Sequence, residues 1–216
     1  MKIDFVSDVS CPWCAVGLNA LEQALARVAP DIQATLHFQP FELNPQMPAE
    51  GQDIVEHLSA KYGIDAQQIA TNAEAIRQRG ASVGFEFGVG KRSRIYNTFD
   101  AHRLLHWAGL QSEAAQRALK HALFKAYFTD GLSPGDAEVL VAAATAAGLD
   151  ADAARAVLDS DHFTAEVREA EGFYQQHGIH SVPAVIVNDR HLISGGQPVE
   201  VFERALRQIA QEETAT

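Results

Sequence analysis

The amino-acid sequence predicts an α/β protein in which a small sheet with helices on both faces is interrupted by an all-helical insertion. The pattern is strand–helix–strand over residues 1 to about 50, and helix–strand–strand–helix from about residue 165. Between them, apolar residues recur mostly at helical spacing. We therefore expect a sheet domain formed by residues 1–50 and 165–216, and a helical insertion domain formed by residues 51–164.

The N-terminal unit shows both periodicities. An apolar run around Phe5 predicts a first strand, and residues 34–39 alternate apolar and polar side chains as a half-buried strand does. Between them, apolar residues from Leu18 to Val28 follow helical spacing, and Pro30 is expected to stop that helix.

The insertion is predicted to contain six helices, several with Ser, Thr or Asp at their starts and Gly near their ends. They are Asp53–Tyr62, Asp65–Gly80, Thr98–Ala108, Ser112–Phe128, Gly135–Ala147 and Asp150–Leu158. The glycine-rich segment Gly84–Ser93 is predicted to be a loop. The basic run 91–94 at its end is interpreted as solvated, with anion binding as the alternative.

The C-terminal unit reads as a hairpin followed by a helix. Residues 184–187 form a buried-strand candidate, Asn188-Asp189 a turn, and residues 191–193 the second strand. Pro198 occupies a favourable first position for a last amphipathic helix. The two units together form a parallel strand pair extended by an antiparallel hairpin.

The motif Cys11-Pro12-Trp13-Cys14 lies directly between the first strand and the first helix and holds both cysteines of the chain. The positive end of the helix dipole favours thiolate over thiol at this position, so the sequence predicts thiol–disulfide exchange with Cys11 as the nucleophile. Cys14, one turn further in, is expected to be shielded and to resolve the mixed disulfide. Pro12 leaves no unpaired N–H in the first turn, and Trp13 offers apolar surface beside the sulfur.

Two other uses of the cysteines compete with this interpretation. A disulfide that spans so few residues constrains the unfolded chain little and is a poor structural staple. A zinc site could combine Cys11 and Cys14 with His102 and His106, which are spaced i, i+4. The chain has no second CxxC, so we expect no metal and no bound cofactor besides the redox-active cysteine pair.

Composition narrows the function further. The chain has 216 residues, 47% of them hydrophobic, and a formal net charge of −11, which argues against nucleic-acid binding. No apolar stretch is long enough to span a membrane, and an acidic residue interrupts the N-terminal run where a secretory signal would be apolar. We expect a cytoplasmic protein, where paired cysteines are catalytic or metal-binding more often than structural.

The order βαβ, helical insertion, αββα, with CxxC opening the first helix, resembles the DsbA family of thioredoxin-fold proteins. Tyr96-Asn97-Thr98, Ala101-His102-Arg103 and Ser181-Val182-Pro183-Ala184 are similar to its cytoplasmic FrnE-like branch. Related 2-hydroxychromene-2-carboxylate isomerases and kappa-class glutathione transferases share this architecture but generally carry serine where Cys11 stands. That difference favours dithiol chemistry in this chain.

The resemblance implies a thiol–disulfide oxidoreductase acting on protein or peptide thiols, with glutathione as an alternative co-substrate. It implies that Pro183 is cis and packs against the CxxC motif, and that the backbone of Val182 binds an extended substrate. It also places Asn97 and His102 near the groove, where substrate contact competes with helix capping for Asn97 and burial for His102. A glutathione-dependent isomerase or transferase of a small aromatic or polyketide-like molecule is the alternative enzyme class. Redox direction and oligomeric state stay open, with a homodimer as one alternative.

Overall fold

The structure, a computed structural model, describes residues 1–29 and 31–214. The strands are β1 (Lys2–Ser7), β2 (Thr35–Pro40), β3 (Gln52–Asp53), β4 (Arg94–Ile95), β5 (Ala184–Val187) and β6 (His191–Ser194). The helices are α1 (Pro12–Val28), α2 (Ile54–Tyr62), α3 (Ala66–Ser82), α4 (Phe99–Gln111), α5 (Glu113–Phe124), α6 (Ala137–Ala146), α7 (Ala151–Leu158), α8 (Thr164–Gln176) and α9 (Val199–Thr214). Pro30, the predicted stop of the first helix, lies outside the described residues, and α1 ends at Val28.

The main sheet has the strand order β2-β1-β5-β6. β1 and β2 are parallel and joined through α1, while β5 is antiparallel to both β1 and β6. The β5–β6 turn contains Asn188 and Asp189 at φ 51° and 55°, the left-handed values that a type I′ hairpin turn requires. The predicted α/β class and the order βαβ…αββα are therefore confirmed.

The two largest apolar clusters among the described residues support the sheet and the insertion. The first contains β1, α1, α9 and the end of α5, and its members include the fully buried Phe5, Leu18 and Phe202. The second forms mainly among α4, α5, α6 and α7, around Leu104 and Leu119. Helices α4 and α5 pack against β2, which places the insertion beside an edge of the sheet. The domain boundaries near residues 50 and 164 stay a prediction.

The predicted single helix Ser112–Phe128 is wrong over its last turn. The α-helix ends at Phe124, and a π-helical turn, Lys125–Thr129, follows. Tyr127 in this wider turn donates a hydrogen bond to the Arg94 carbonyl at 2.9 Å, and the Phe128 carbonyl accepts one from Gly88 N at 2.9 Å. Long-range contacts thus set a local geometry that the apolar spacing does not reveal.

The sequence pattern suggested that the basic run 91–94 is a solvated loop. The structure differs at Arg94 and Arg92. Arg94 lies in β4, which pairs with β3, and its side chain donates to the carbonyls of Glu50 and Gly51. The Arg92 guanidinium lies about 5 Å above the rings of Tyr127 and Phe128, at 5.2 and 5.0 Å. Among the described residues, no helix is both long and apolar enough to cross a bilayer.

Candidate active site

The CxxC motif forms the junction between β1 and α1. Cys11 is the N-cap residue of α1 in extended conformation (φ −91°, ψ 112°), and Pro12 is the first helical residue. The Cys11 sulfur accepts a hydrogen bond from Cys14 N at 3.3 Å, as a capping side chain does. A sulfur in this position faces the N–H groups and the positive end of the dipole at the start of the helix. The structure thus places Cys11 at the start of α1, as the sequence predicted, and its role as the nucleophile stays a prediction.

The two cysteines differ in their surroundings. Both are unbridged, Cys11 retains 4% exposure and Cys14 has none. Burial raises the pKa of the Cys14 thiol well above its ordinary value, and the neighbouring Cys11 adds to the rise. Cys11 is less open to solvent than the sequence suggested, and it is the more exposed sulfur of the pair.

The loop before β5 brings a second element to the same place. The Val182–Pro183 peptide bond is cis, and the Cys11 sulfur lies 3.7 Å from the Val182 carbonyl oxygen. Gly17 on α1 permits this approach, because a Cβ there would lie 3.1 Å from the ring of Pro183 and 3.1 Å from Gly196 Cα. The structure thus brings together Cys11, Val182 and Pro183, which lie far apart in the sequence.

Asp8 is a buried carboxylate that the sequence analysis missed. It accepts hydrogen bonds from Ser10 N (3.1 Å), Ser10 Oγ (2.9 Å), Leu43 N (2.7 Å) and Thr98 Oγ1 (2.8 Å), and His102 Nε2 lies 3.5 Å away. Burial raises the pKa of Asp8, but the His102 ring and the backbone donors lower it more, to about 2. Asp8 is therefore ionised, and it ties the loop before the CxxC motif to the start of α4.

Lys120 is a second buried charge that the sequence analysis missed. Its side chain is fully buried on α5, and Nζ has no hydrogen-bond partner among the described residues. Burial lowers the pKa of Lys120 to about 8, while nearby Cys14, Asp8 and Cys11 work in the opposite direction. A lysine on the apolar face of α5, between Leu119 and Leu123, was the signal that could have revealed it.

Trp13 and an apolar pocket flank the cysteines. Trp13 is 40% exposed, so its indole offers the apolar surface that the sequence predicted. A pocket of about 340 Å³, here named the Pro12 pocket, is lined by Pro12, by α3 residues including Ile69 and Ile76, and by Phe87, Val89 and Arg92. Its position beside Pro12 makes it an apolar surface next to the CxxC motif.

The remaining predicted residues occupy supporting positions. Asn97 Oδ1 accepts a hydrogen bond from Phe99 N at 2.9 Å and so caps the start of α4. The side chain of Thr98, the N-cap residue, makes no capping hydrogen bond and donates to Asp8 instead. His102 is 2% exposed and faces Asp8. Contact of Asn97 or His102 with substrate stays a prediction.

The zinc alternative has no support in the geometry. Within residues 1–29 and 31–214, no group of three or more His, Cys, Asp or Glu side chains is arranged to hold a metal ion. His106, the proposed fourth ligand, packs against the ring of Phe163 at 5.2 Å between ring centroids. This agrees with the interpretation of His106 as a packed helix residue.

Comparison with known proteins gives the family. The family model described as a DSBA-like thioredoxin domain matches residues 2–207. A probable DsbA oxidoreductase of Streptomyces coelicolor is 35% identical, with a TM-score of 0.91 over 98% of this chain and 91% of that one. The uncharacterized protein YwbO of Bacillus subtilis is 27% identical over 95% of this chain and 96% of its own length.

A more distant neighbour shares the fold. The cytosolic disulfide reductase DsbM of Pseudomonas aeruginosa with GSH is 15% identical, with a TM-score of 0.66 over 98% of this chain and all (100%) of that one. With the cysteine pair at the start of α1 beside a cis-proline loop, these matches lead to one conclusion. The chain belongs to the family of DSBA-like thioredoxin domains.

Proposed function

We propose that this protein is a thiol–disulfide oxidoreductase of protein or peptide substrates, with Cys11 as the nucleophile and Cys14 as the resolving cysteine. The observation that carries the proposal is the position of Cys11: its sulfur caps α1 and lies 3.7 Å from the Val182 carbonyl. The capping position favours the thiolate, and the cis-proline loop offers backbone groups to an extended chain.

Two successive thiol–disulfide exchange steps connect the dithiol and disulfide forms of the protein. In one direction, the Cys11 thiolate attacks a substrate disulfide, one substrate thiolate leaves, and a mixed disulfide forms. Cys14 then attacks the Cys11 sulfur, which closes the Cys11–Cys14 disulfide and releases the second substrate sulfur. The reverse sequence oxidises a substrate dithiol. The burial of Cys14 supports this order, since an outside disulfide reaches Cys11 first.

We propose that the substrate lies between Trp13, Val182-Pro183 and the Pro12 pocket. Trp13 and the α3 side of the pocket supply apolar contact, and Arg92 adds a cation beside it. Glutathione is the proposed small-thiol co-substrate and the cytoplasm the proposed compartment. The fold shared with a cytosolic disulfide reductase whose structure carries GSH supports both proposals. The similarity of the CPWC context to the FrnE-like branch points the same way.

The test is insulin reduction in a glutathione buffer with matched cysteine variants. We expect Cys11→Ser to abolish turnover and Cys14→Ser to accumulate a mixed disulfide, because only Cys11 can start the exchange. Wild-type turnover no faster than the buffer alone would contradict the proposal. Glutathione-dependent isomerase turnover that survives in Cys14→Ser would support the alternative enzyme class instead.

A further inference from the structure

Lys120 is placed where an ordinary lysine is unstable. It lies on α5 among apolar neighbours, its side chain has no exposure, and Nζ lies 4.9 Å from the centre of the Phe124 ring. A lysine normally extends its ammonium group to water, and a buried ammonium without a hydrogen-bond partner is destabilising. The Nζ of Lys120 has no such partner among residues 1–29 and 31–214. The cation–π contact with Phe124 is the one favourable interaction that α5 itself is seen to offer this group among the described residues.

The charges that act on Lys120 are those of the redox site. They belong to Cys14, Asp8 and Cys11, in that order of strength. Lys120 in turn is the cation that acts on the buried Cys14 thiol. Lys120 thus comes from the helical insertion, yet its electrostatic partners are on the loop before α1 and on α1 itself.

Cys14 needs a proton acceptor in order to resolve a mixed disulfide. Its thiol is fully buried, and burial holds its pKa well above the ordinary value, so a thiolate does not form there unaided. Asp8 is a poor acceptor because its pKa is about 2 and four hydrogen bonds already occupy its oxygens. The pKa of Lys120, about 8, lies near neutral pH, where efficient proton-transfer groups titrate.

A polar pocket reaches Lys120 from another side. The pocket, of about 460 Å³ and here named the Lys120 pocket, lies between β2, α4 and α5. Its polar lining besides Lys120 consists of His37 and Gln39 from β2, His102 and His106 from α4, and Glu113 and Gln116 from α5. No residue of the CxxC motif or of the cis-proline loop lines it. The pocket therefore approaches Lys120 from a side away from the substrate surface, and the Lys120 side chain itself stays fully buried behind it.

We propose that Lys120 accepts the proton of the Cys14 thiol when Cys14 resolves the mixed disulfide, and that the Lys120 pocket exchanges this proton with solvent. The inference rests on the function proposed above. The neutral amine of Lys120 takes the S–H proton, which leaves a Cys14 thiolate beside an ammonium group. The Cys14–Cys11 bond forms, the bond between Cys11 and the substrate sulfur breaks, and the substrate leaves as a thiolate that takes a proton from water. The protein dithiol loses two electrons and the substrate disulfide gains them.

The experiment separates the attack of Cys11 from the attack of Cys14. Reduced protein is mixed in a stopped-flow instrument with dithiobis(nitrobenzoate), which releases one coloured thionitrobenzoate when Cys11 attacks and a second when Cys14 resolves. For Lys120→Met we expect the first phase to stay within about twofold of wild type and the second to slow about 100-fold at neutral pH, the scale of general base catalysis. The matched control is Lys125→Met. Lys125 lies one turn further along the chain, is exposed and pairs with Asp130, so this substitution should leave both phases unchanged.

The pH profile and an arginine variant separate proton transfer from charge. The wild-type second phase should rise with pH and level off above about 8, whereas that of Lys120→Met should rise without levelling. Lys120→Arg keeps the cation but cannot act as a base, so it should be as slow as the methionine variant. A second phase of wild-type rate in Lys120→Arg would overturn the proposal and assign the role of Lys120 to its charge alone. A second phase of Lys120→Met that also levels off above pH about 8 would overturn it as well, and would assign the proton transfer to another group such as His102 or His106.

Folding and the underlying function are checked independently. Far-ultraviolet circular dichroism establishes whether each variant folds. If Lys120→Met does not fold, Lys120→Gln is measured in its place, and we expect the same rates for it. If the wild type itself shows no second phase, the proposed function fails. If the wild type shows both phases and the Lys120 variants match it, only the inference about Lys120 fails.

Discussion

Gly196→Ala tests how closely the turn before α9 packs against the CxxC helix. A Cβ at residue 196 would lie 2.9 Å from the Trp13 carbonyl oxygen and 3.5 Å from Gly17 N. Carbon–oxygen contacts in proteins begin at about 3.3 Å, so the turn and α1 would have to separate by about 0.4 Å. Overpacking of this kind destabilises by about 1–3 kcal/mol. At about 2–4 °C per kcal/mol for a chain of this length, the Tm should fall by about 2–12 °C.

The matched control is Gly172→Ala on α8. A Cβ there meets nothing closer than Gln176 Nε2 at 4.0 Å, and alanine is favoured over glycine inside a helix by about 0.5–1 kcal/mol. The two substitutions are chemically identical, yet we expect opposite signs in urea and thermal denaturation. A Gly196→Ala protein as stable as wild type would refute the close packing described for Trp13, Gly17 and Gly196.

Three further predictions address charge and substrate binding. Lys120→Met should stabilise the fold by about 1–4 kcal/mol, because it removes a buried unpaired cation. This gain in stability should be full below pH about 8 and should shrink as the pH rises towards 10.5. Between these two pH values the unfolded wild-type chain binds more protons than the folded one, so the stability of the wild type rises with pH. Asp8→Asn should destabilise the fold by about 2 kcal/mol at neutral pH, the free energy linked to the lowering of the pKa of Asp8 from 3.8 to about 2. That difference should be present above pH 3.8 and vanish as the pH falls through about 2, because the folded pKa of Asp8 is depressed. Urea titrations across pH test both. Val89→Asp should raise the KM for a peptide disulfide about fivefold, the equivalent of about 1 kcal/mol, and leave the reaction of Cys11 with dithiobis(nitrobenzoate) unchanged.

The sequence predicted most of the fold because its signals are local. Apolar periodicity located the four strands of the main sheet, and Asn188-Asp189 marked the hairpin turn. The short strands β3 and β4 escaped detection, since two residues carry no periodicity and their pairing joins segments about forty positions apart. The π-helical turn after Phe124 escaped for a related reason: its partners, Arg94 and Gly88, are distant in sequence.

The sequence predicted the part of the site whose residues are consecutive in the chain. It did not predict the part that folding assembles from distant segments. Cys11 to Cys14 form one motif whose place between strand and helix indicates its chemistry. Asp8 is equally close in sequence, but its importance comes from the donors of Leu43 and Thr98, which only the folded chain supplies. Lys120 breaks the apolar face of α5, and that mismatch alone does not show that the redox cysteines lie nearby.

The covalent intermediate between Cys11 and a substrate sulfur can be trapped. Reduced Cys14→Ser protein is mixed with insulin, quenched with acid and digested, and the mixed disulfide is located by mass spectrometry. We predict one insulin chain attached through Cys11, and no adduct with the matched Cys11→Ser variant, because Cys14 is buried. An adduct through Cys14 in the Cys11→Ser protein, or none in either variant, would contradict the assignment of Cys11 as the attacking sulfur.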